Sequence, residues 1–219
     1  MAFSLIARCP RTNQIGVAIC GAAIATGARA LHCDGGIGAI AVQSRSDSRL
    51  GVRGLALLAA GLDAQATCDA LVASTPHSQW RQLAVLDAAG NTAAFTGART
   101  VPEMSEAPAR DACAIGTALT SALAVPGMLR VLLADPSLPL AERLMRALEE
   151  GEEAGGNHAP SLSAMLRVMA APSLPLVDLR IDCHAAPVHE LRRLWSRYAP
   201  LAADIVLRAT DPENQAIRQ

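Results

Sequence analysis

The stretch FSLIARCPRTNQIGVAICG, residues 3–21, decides how the rest of the chain folds. Its two apolar runs, Phe3–Arg8 and Ile15–Cys20, flank a segment that contains the turn-forming residues Pro10 and Asn13. This pattern predicts a β-hairpin with a long loop. Because both runs are apolar at nearly every position, we expect the hairpin in a sheet that is covered on both faces.

The hairpin begins almost at the first residue, which is unusual because chain termini normally fray at the surface. One large class of enzymes places its terminus in a central strand and uses the free α-amine of the first residue as a catalytic base. The hairpin therefore raises the hypothesis of an N-terminal catalytic group, which the rest of the chain must support or weaken.

Composition indicates one substantial domain with a core of small side chains. The chain has 219 residues, of which 51% are hydrophobic but only 2% are aromatic. Ala, Leu, Val and Ile must therefore build the core, and small side chains bury little area each. A core of this kind often needs a partner surface, so we predict a homo-oligomer.

Charge and cysteine usage narrow the classes of partner. The formal net charge is −1, and no long basic or acidic block suggests binding to nucleic acid or to a membrane surface. All 19 basic residues are arginines, which excludes any mechanism based on a lysine amine. The six cysteines are far apart and form no C-x-x-C pair, so we expect reduced, mostly buried thiols. With neither a secretory signal nor an apolar run of transmembrane length, a cytoplasmic location is predicted.

The remaining pattern alternates strand pairs with helix pairs. Leu50–Ser74 predicts two helices, with Gly61 ending the first and Asp63 capping the second. Further strands are predicted at Gly38–Ser44, Gln82–Asp87, Thr92–Thr96, Asp111–Thr117, Ser163–Ala170 and Leu176–Cys183, further helices at Pro126–Ala134, at Leu140 to about Glu153 and from Pro187, and irregular segments at Ala22–Asp34 and Gly97–Ala109.

The order β-β-β, α-α, β-β-β, α-α, β-β, α implies two mostly antiparallel sheets stacked face to face with helices outside. The predicted fold class is therefore α+β, as a four-layer αββα sandwich. No repeat or linker divides the chain, so residues 1–205 are expected to form a single domain and residues 206–219 a polar tail.

Several segments resemble, in the same order, the DUF1028 family of uncharacterised bacterial proteins. They are Phe3–Pro10, Gly36–Gln43, Gly51–Leu58, Leu86–Gly97, Leu140–Leu144 with Gly155 and Gly156, Asp178–His184 and Glu190–Leu194. The likeness covers residues 2 to about 198. It implies the N-terminal-nucleophile (Ntn) hydrolase-like fold, an αββα sandwich. It also implies amide-bond hydrolysis, in which a Thr, Ser or Cys at the mature N-terminus attacks the carbonyl while the α-amine takes the proton.

The chain departs from the family pattern at most polar positions of the expected site. Ala2 stands where family members often have Thr, so removal of Met1 would leave a methyl group in place of the nucleophile. Gly21-Ala22 replaces a usual Ser-Lys, and Thr117 follows Gly116 where the family has Asn. In the segment 155–163 only Asn157 and Ser163 are near matches.

Four residues are candidates for catalysis. Ser4 could be the nucleophile only after removal of the three preceding residues, and its strand position alone also explains it. Cys20 could be a reactive thiol or a small buried core residue. Asn157 and His158, which follow the double glycine, are the best remaining catalytic candidates.

Five residues are candidates for substrate binding. Gln43 ends a strand and is followed by Ser44, Arg45 and then Arg53, a set that could line a pocket and bind an anionic group or could pair with aspartates. Thr117 takes the altered family position. Asp182 and His184 lie at a predicted strand end, where they could bind a metal or act in acid/base catalysis. No metal and no cofactor are predicted, because no second ligand cluster has a recognisable spacing.

Two functional hypotheses from different classes follow. The first is a small-molecule amide hydrolase of the Ntn hydrolase-like class. The second is a catalytically inactive family member that binds a metabolite or serves as an assembly subunit, which Ala2 and the missing lysine favour. A third and weaker hypothesis is metal-dependent hydrolysis through Asp182, His184 and His158.

Overall fold

Two antiparallel sheets form the centre of the computed structural model, which describes residues 1–214. In chain order the strands are β1 (Ala2–Arg8), β2 (Ile15–Gly21), β3 (Leu31–Asp34), β4 (Gly38–Ser44), β5 (Arg81–Asp87), β6 (Thr92–Thr96), β7 (Ser105–Ala109), β8 (Ala112–Thr117), β9 (Ser163–Ala170) and β10 (Leu174–Ile181). The larger sheet has the order β10-β9-β2-β1-β8-β7, and the smaller sheet has the order β3-β4-β5-β6.

Helices surround the two sheets. They are α1 (Thr26–Ala30), α2 (Ser48–Ala59), α3 (Ala64–Ala73), α4 (Ala124–Ala134), α5 (Leu140–Glu153), α6 (Pro187–Tyr198) and α7 (Ala202–Thr210). Helices α4, α5 and α6 pack on the larger sheet, and α2 and α3 pack on the smaller sheet. Among residues 1–214 no helix is long and apolar enough to cross a lipid bilayer.

Three apolar clusters correspond to the three interfaces of a four-layer sandwich. Along β1, Phe3, Leu5 and Ala7 point to the helices of the larger sheet, and Ala2 and Ile6 point to the smaller sheet. This alternation follows from the two-residue period of a strand. A third cluster fills the space between the smaller sheet and its helices. The fold is therefore the predicted α+β, αββα sandwich.

The first hairpin lies in the middle of the larger sheet, as its apolar runs predicted. Strand β1 pairs with β2 on one side and with β8 on the other, with Phe3 opposite both Cys20 and Gly116. Every residue of β2 is buried, and β1 is buried up to its last residue. The β1 backbone is therefore enclosed within the larger sheet from its first residue, with Gly21 on one side of Ala2 and Thr117 on the other.

Two segments that the sequence predicted as irregular contain regular structure. Ala22–Asp34 includes helix α1 and strand β3, and Gly97–Ala109 includes strand β7. Both strands are short and lie at sheet edges. Pro108 suggested a loop because proline lacks a backbone donor, but an edge strand tolerates proline.

Helix α7 crosses the boundary predicted between the domain and a polar tail at residue 206. This helix has no buried residue, in contrast to α6, which buries Val188, Leu191 and Trp195. The tail predicted for residues 206–219 thus begins within a helix, and residues 215–219 lie outside the described part of the chain. The domain limit at residue 205 stays a prediction.

Candidate functional site

A pocket of about 620 Å³ opens at the end of the sandwich where β1 begins and β4 ends. We call it the N-terminal pocket. Its walls come from the start of β1, the segment before and within α1, the end of β4 and the start of α2. The lining residues are Met1, Ala2, Ala23, Thr26, Arg29, Gln43, Ser44, Arg45, Ser46, Asp47, Ser48, Arg49 and Arg81.

The N-terminal pocket is rich in positive charge. Four of its lining residues are arginines, and Asp47 is its single carboxylate. The Met1 α-amine adds a further group whose pKa is lowered, first by desolvation on burial and then by repulsion from Arg45. An excess of positive charge in one concave site favours an anionic ligand.

Asp47 organises the wall between the end of β4 and helix α2. Its side chain caps α2 by accepting a hydrogen bond from the Arg49 backbone N–H. It also pairs with the Arg49 guanidinium, whose Nη2 is 2.9 Å from Oδ2, and with Arg81 at 3.4 Å. Hydrogen bonding from the Arg49 side chain is the main reason that the pKa of Asp47 falls to about 2.

Arg81 is the buried cation of the pocket. Only 7% of its surface is exposed, its Nη1 donates to the Arg45 carbonyl at 2.7 Å, and its Nη2 reaches Asp47. Its Nε is shielded from solvent and has no hydrogen-bond partner within residues 1–214. A buried donor without a partner costs free energy, and a ligand acceptor that reached the Arg81 Nε would recover that cost.

The backbone around the pocket supports the same interpretation. Ser44 has φ of +69°, a left-handed conformation that is uncommon for a residue other than glycine. Strained residues of this kind cluster at functional sites. Helix α2 begins directly afterwards at Ser48, so the positive end of its dipole lies at the pocket wall.

A buried hydrogen-bond network closes the floor of the pocket and joins the two sheets. Ser4 Oγ donates to Gln43 Oε1 at 2.8 Å. The Gln43 amide nitrogen donates to the Ala2 carbonyl at 3.2 Å and to Gln82 Oε1 at 2.7 Å, and Gln82 in turn donates to Thr96 Oγ1. Both amide donors of Gln43 thus contact protein groups, so this residue fixes the start of β1.

The predicted substrate-binding residue Thr117 lies beside the start of the chain. In the register between β1 and β8 it is opposite Ala2, and it is fully buried. Its Oγ1 has no hydrogen-bond partner among the described residues. Ala2 itself is only 3% exposed, so its methyl group fills the position at which the family resemblance places a nucleophile.

The two predicted nucleophiles lie on opposite faces of the larger sheet. Ser4 faces the smaller sheet and is completely buried with its hydroxyl bonded to Gln43. Cys20 belongs to the cluster that faces the helices, and burial raises the pKa of its thiol to about 12. Neither side chain lines the N-terminal pocket.

Asn157 and His158 lie next to the end of β8 and outside the lining of the N-terminal pocket. Asn157 Nδ2 donates to Ser161 Oγ at 3.0 Å, and Asn157 Oδ1 is buried without a partner in the described region. The His158 ring is about half exposed, and its Nε2 is 3.6 Å from a carboxylate oxygen of Glu103.

The other predicted site residues are at the surface. Asp182 accepts a hydrogen bond from the Ala25 backbone through its carbonyl, and His184 Nδ1 accepts one from the Ala186 backbone. Within residues 1–214 no group of three or more His, Cys, Asp or Glu side chains is arranged to hold a metal ion, which leaves the metal-dependent hypothesis without a ligand cluster there.

The structure therefore brings together part of the predicted set. Gln43 and its neighbours Ser44 and Arg45 line the N-terminal pocket, and Arg53 lines a second pocket beside it. Sequence analysis missed Arg29, Arg49 and Arg81. Arg49 could have been found from its place directly before the predicted helix and four residues before Arg53, but Arg81 reaches the pocket through the pairing of β5 with β4.

Comparison with known proteins identifies the family of the chain. A family model described as a family of unknown function, DUF1028, matches residues 2–191. The crystal structure of protein SPO2555 from Silicibacter pomeroyi, which carries the same family assignment, is 28% identical with a TM-score of 0.84 over 90% of this chain and 86% of that chain. No curated protein gave a significant match.

Two structures of Anbu, the ancestral β-subunit, are more distantly similar. The protein from Yersinia bercovieri is 14% identical with a TM-score of 0.42 over 98% of this chain and 100% of that chain. A mutant from Hyphomicrobium sp. strain MC1 is 11% identical with a TM-score of 0.43, covering 93% and 97% respectively. The family model spans most of the chain, and on that ground this protein belongs to the DUF1028 family.

Proposed function

We propose that this protein binds a small anionic molecule in the N-terminal pocket. The observation that carries the proposal is the convergence of Arg29, Arg45, Arg49 and Arg81 on one pocket that contains a single carboxylate. Guanidinium groups match carboxylate and phosphate oxygens with two parallel hydrogen bonds. The pocket volume of about 620 Å³ is suited to a metabolite-sized ligand.

Binding without covalent catalysis is the function that the geometry supports best. The Ala2 methyl group occupies the expected nucleophile position, and it is almost fully buried. The Ser4 hydroxyl is bonded inside the core, and the Cys20 thiol faces another layer of the molecule. This arrangement favours the hypothesis of a catalytically inactive, metabolite-binding family member.

Calorimetric titration with acetate, butyrate and inorganic phosphate at constant ionic strength tests this proposal. We expect at least one of these anions to bind. We also expect Arg45→Gln to weaken its binding at least about tenfold, which corresponds to about 1.4 kcal/mol. Arg180→Gln is the matched control, because it removes the same charge from an exposed residue of β10 outside the pocket. If none of the anions binds, or if Arg45→Gln binds as tightly as wild type, the proposal is wrong.

Amide hydrolysis is the second candidate function, and the lowered pKa of the α-amine supports it. A neutral amine at the pocket could accept a proton from a water molecule whose oxygen attacks the amide carbonyl carbon. The C–N bond would then break, and the leaving nitrogen would take that proton, giving a carboxylic acid and an amine.

The mass and the N-terminal sequence of the purified native protein test this second candidate. A mature chain that starts at Ser4 or Cys20 would restore an N-terminal nucleophile, and replacing that residue by alanine should then abolish hydrolysis of an amide substrate. A chain that starts at Met1 or Ala2 would eliminate the N-terminal nucleophile and leave only the water mechanism. Loss of hydrolysis after acetylation of the α-amine would support that mechanism.

A further inference from the structure

The N-terminal pocket has a smaller neighbour of about 390 Å³, which we call the helix-side pocket. Asp47, Arg49 and Arg81 line both pockets, so the two are separated only by this shared wall. Beyond the wall, the helix-side pocket is lined by Arg53 of α2 and by His77. A ligand that occupies the N-terminal pocket therefore has a second compartment within reach along the same wall.

Positive charge continues into this second compartment. Arg53 is exposed, and no ion pair of its side chain is found within residues 1–214. It follows Arg49 by four residues on α2, so the two guanidinium groups share one helix face, where like charges repel each other. A negative group between them would relieve that repulsion.

The shared wall also contains a buried cation, Arg81, that has a hydrogen-bond donor without an acceptor among residues 1–214. Arg81 borders both pockets, and its Nε has no hydrogen-bond partner in the described part of the chain. Asp47 balances one positive charge of the wall, and it contacts both Arg49 and Arg81. The positive charges on the two sides, Arg45 and Arg53, are left for a ligand to neutralise.

We infer that the ligand carries two anionic groups on one small molecule, with one group in each pocket. The groups are carboxylates or phosphates, and the ligand lies across the wall formed by Asp47, Arg49 and Arg81. This inference rests on the proposed function and extends it, because a single anion would need only the N-terminal pocket. Connecting two anions in one molecule makes the second contact intramolecular, which raises the affinity above that of either anion alone.

The test is a calorimetric comparison, at constant ionic strength, of ligands that carry two anionic groups with ligands that carry one. Succinate, glutarate and adipate are compared with butyrate, and pyrophosphate is compared with inorganic phosphate. We expect at least one ligand with two anionic groups to bind at least about tenfold more tightly than its single-anion counterpart. Preference for a dicarboxylate or for pyrophosphate assigns the two groups to carboxylates or to phosphates.

Two variants separate this inference from the proposed function. Arg53→Gln should remove the advantage of the two-anion ligand and leave butyrate or phosphate binding unchanged, because Arg53 lines only the helix-side pocket. Arg180→Gln should change neither. Equal affinities for one and two anions, or an advantage that survives Arg53→Gln, would overturn this inference alone. Failure of every anion to bind, or insensitivity of all binding to Arg45→Gln, would overturn the proposed function as well.

Discussion

Gln43 is the residue on which the buried network depends. Its side-chain oxygen accepts a hydrogen bond from the Ser4 hydroxyl, and its side-chain nitrogen donates to the Ala2 carbonyl and to Gln82 Oε1. Replacing it by leucine keeps the volume but leaves these groups without partners, at about 1–3 kcal/mol for each buried polar group. We therefore predict that Gln43→Leu lowers the free energy of unfolding by at least about 2 kcal/mol, as measured by urea denaturation.

Gln65→Leu is the control for this prediction, because Gln65 is an exposed residue of α3 whose side-chain amide donates a hydrogen bond to the exposed Asp69. Its change in unfolding free energy should stay within about 0.5 kcal/mol. Equal effects of the two substitutions would show that the network does not stabilise the junction between the sheets.

The thiols give a second prediction at the scale of single residues. All six cysteines are free, five are buried, and Cys183 is exposed. Burial raises the pKa of Cys20, Cys33, Cys68 and Cys113 to about 12 in each case. Only the thiolate reacts with disulfide reagents. Cys9 is different: desolvation raises its pKa, but hydrogen bonds from Thr12 and Arg11 outweigh this effect, and the net pKa is lowered. Because Cys9 is only 2% exposed, its burial rather than its pKa protects it from the reagent. At pH 8 the native protein should therefore release one equivalent of the reagent's leaving thiol rapidly, and Cys183→Ser should abolish that reaction.

Rapid labelling of Cys20 in the Cys183→Ser protein would contradict this assignment. It would also revive the hypothesis that Cys20 is a reactive thiol. Cys20→Ser in the same background is the matching variant. If the Cys20 thiol is a buried core residue, this substitution should leave the amount of rapid labelling unchanged.

The candidate site was predictable from the sequence only in part, for a reason visible at single residues. Gln43, Ser44 and Arg45 are consecutive at a strand end, so their common location follows from local sequence. Arg29 and Arg81 come to the same pocket from other parts of the chain, through α1 and through the pairing of Ser44 with Arg81. Neither the pairing of β5 with β4 nor the packing of α1 on β2 and β9 is encoded in a local pattern, so these two arginines were not predicted.

Among the elements, the β5–β6 hairpin and helix α3 are joined by one carboxylate. Asp87 accepts hydrogen bonds from the Asn91 backbone and side chain and from the Ala64 backbone at the start of α3. Desolvation raises the pKa of Asp87, but these hydrogen bonds together lower it by a larger amount. The net pKa therefore lies below the usual value. The charged carboxylate is therefore stabilised in the folded state.

This shift predicts how stability depends on pH. A folded-state pKa below the unfolded value of about 3.9 contributes stability above that value, and the contribution is lost as the pH falls through the folded pKa. Asp87→Asn should cost about 1–3 kcal/mol at pH 7, since an amide nitrogen cannot accept a hydrogen bond. Urea denaturation should also show that the free energy of unfolding decreases less between pH 7 and pH 3 for the variant than for wild type.

Asp69→Asn is the control for the pH series, because Asp69 is an exposed residue of the same helix. For this variant the free energy of unfolding should decrease between pH 7 and pH 3 by the same amount as for wild type. An unchanged pH profile for Asp87→Asn would mean that this carboxylate does not couple the hairpin to α3.

The elements themselves were mostly predictable, and the exceptions have a physical cause. The long apolar runs of β1 and β2 and the apolar centre of β5 are buried on both faces, so these sequences strongly indicate strands. Strand β7, with the sequence SEAPA, is only partly buried at a sheet edge. Its pairing with β8 holds the segment in the strand conformation, which its own residues do not indicate.

For the whole molecule, composition predicts a homo-oligomer, and light scattering at several protein concentrations tests this. Helix α7 exposes Leu201 just before its start and Ile205 and Leu207 within it, so apolar surface is present outside the three cores. We expect a mass that is a multiple of the single chain. The mass of one chain at every concentration would contradict the prediction.

The limits of the folded domain give the last prediction. Helix α6 buries Val188, Leu191 and Trp195 against the larger sheet, and the Trp195 indole donates to Glu142 of α5 at 2.7 Å. Burial of three such side chains contributes roughly 5–9 kcal/mol, which is comparable to the total stability of a domain. A chain that ends at residue 186 should therefore fail to fold, as judged by circular dichroism and the absence of a cooperative urea transition.

A chain that ends at residue 201 should behave in the opposite way. It lacks α7, which has no buried residue, so all three apolar clusters keep their members. Its transition should stay cooperative. We expect a loss of about 1–2 kcal/mol, because α7 and Trp195 line one apolar groove and removal of α7 would expose part of that groove to water. If the chain that ends at residue 201 does not fold, α7 belongs to the domain and the domain limit lies beyond residue 205. If the chain that ends at residue 186 still shows a cooperative transition, α6 is not part of the core.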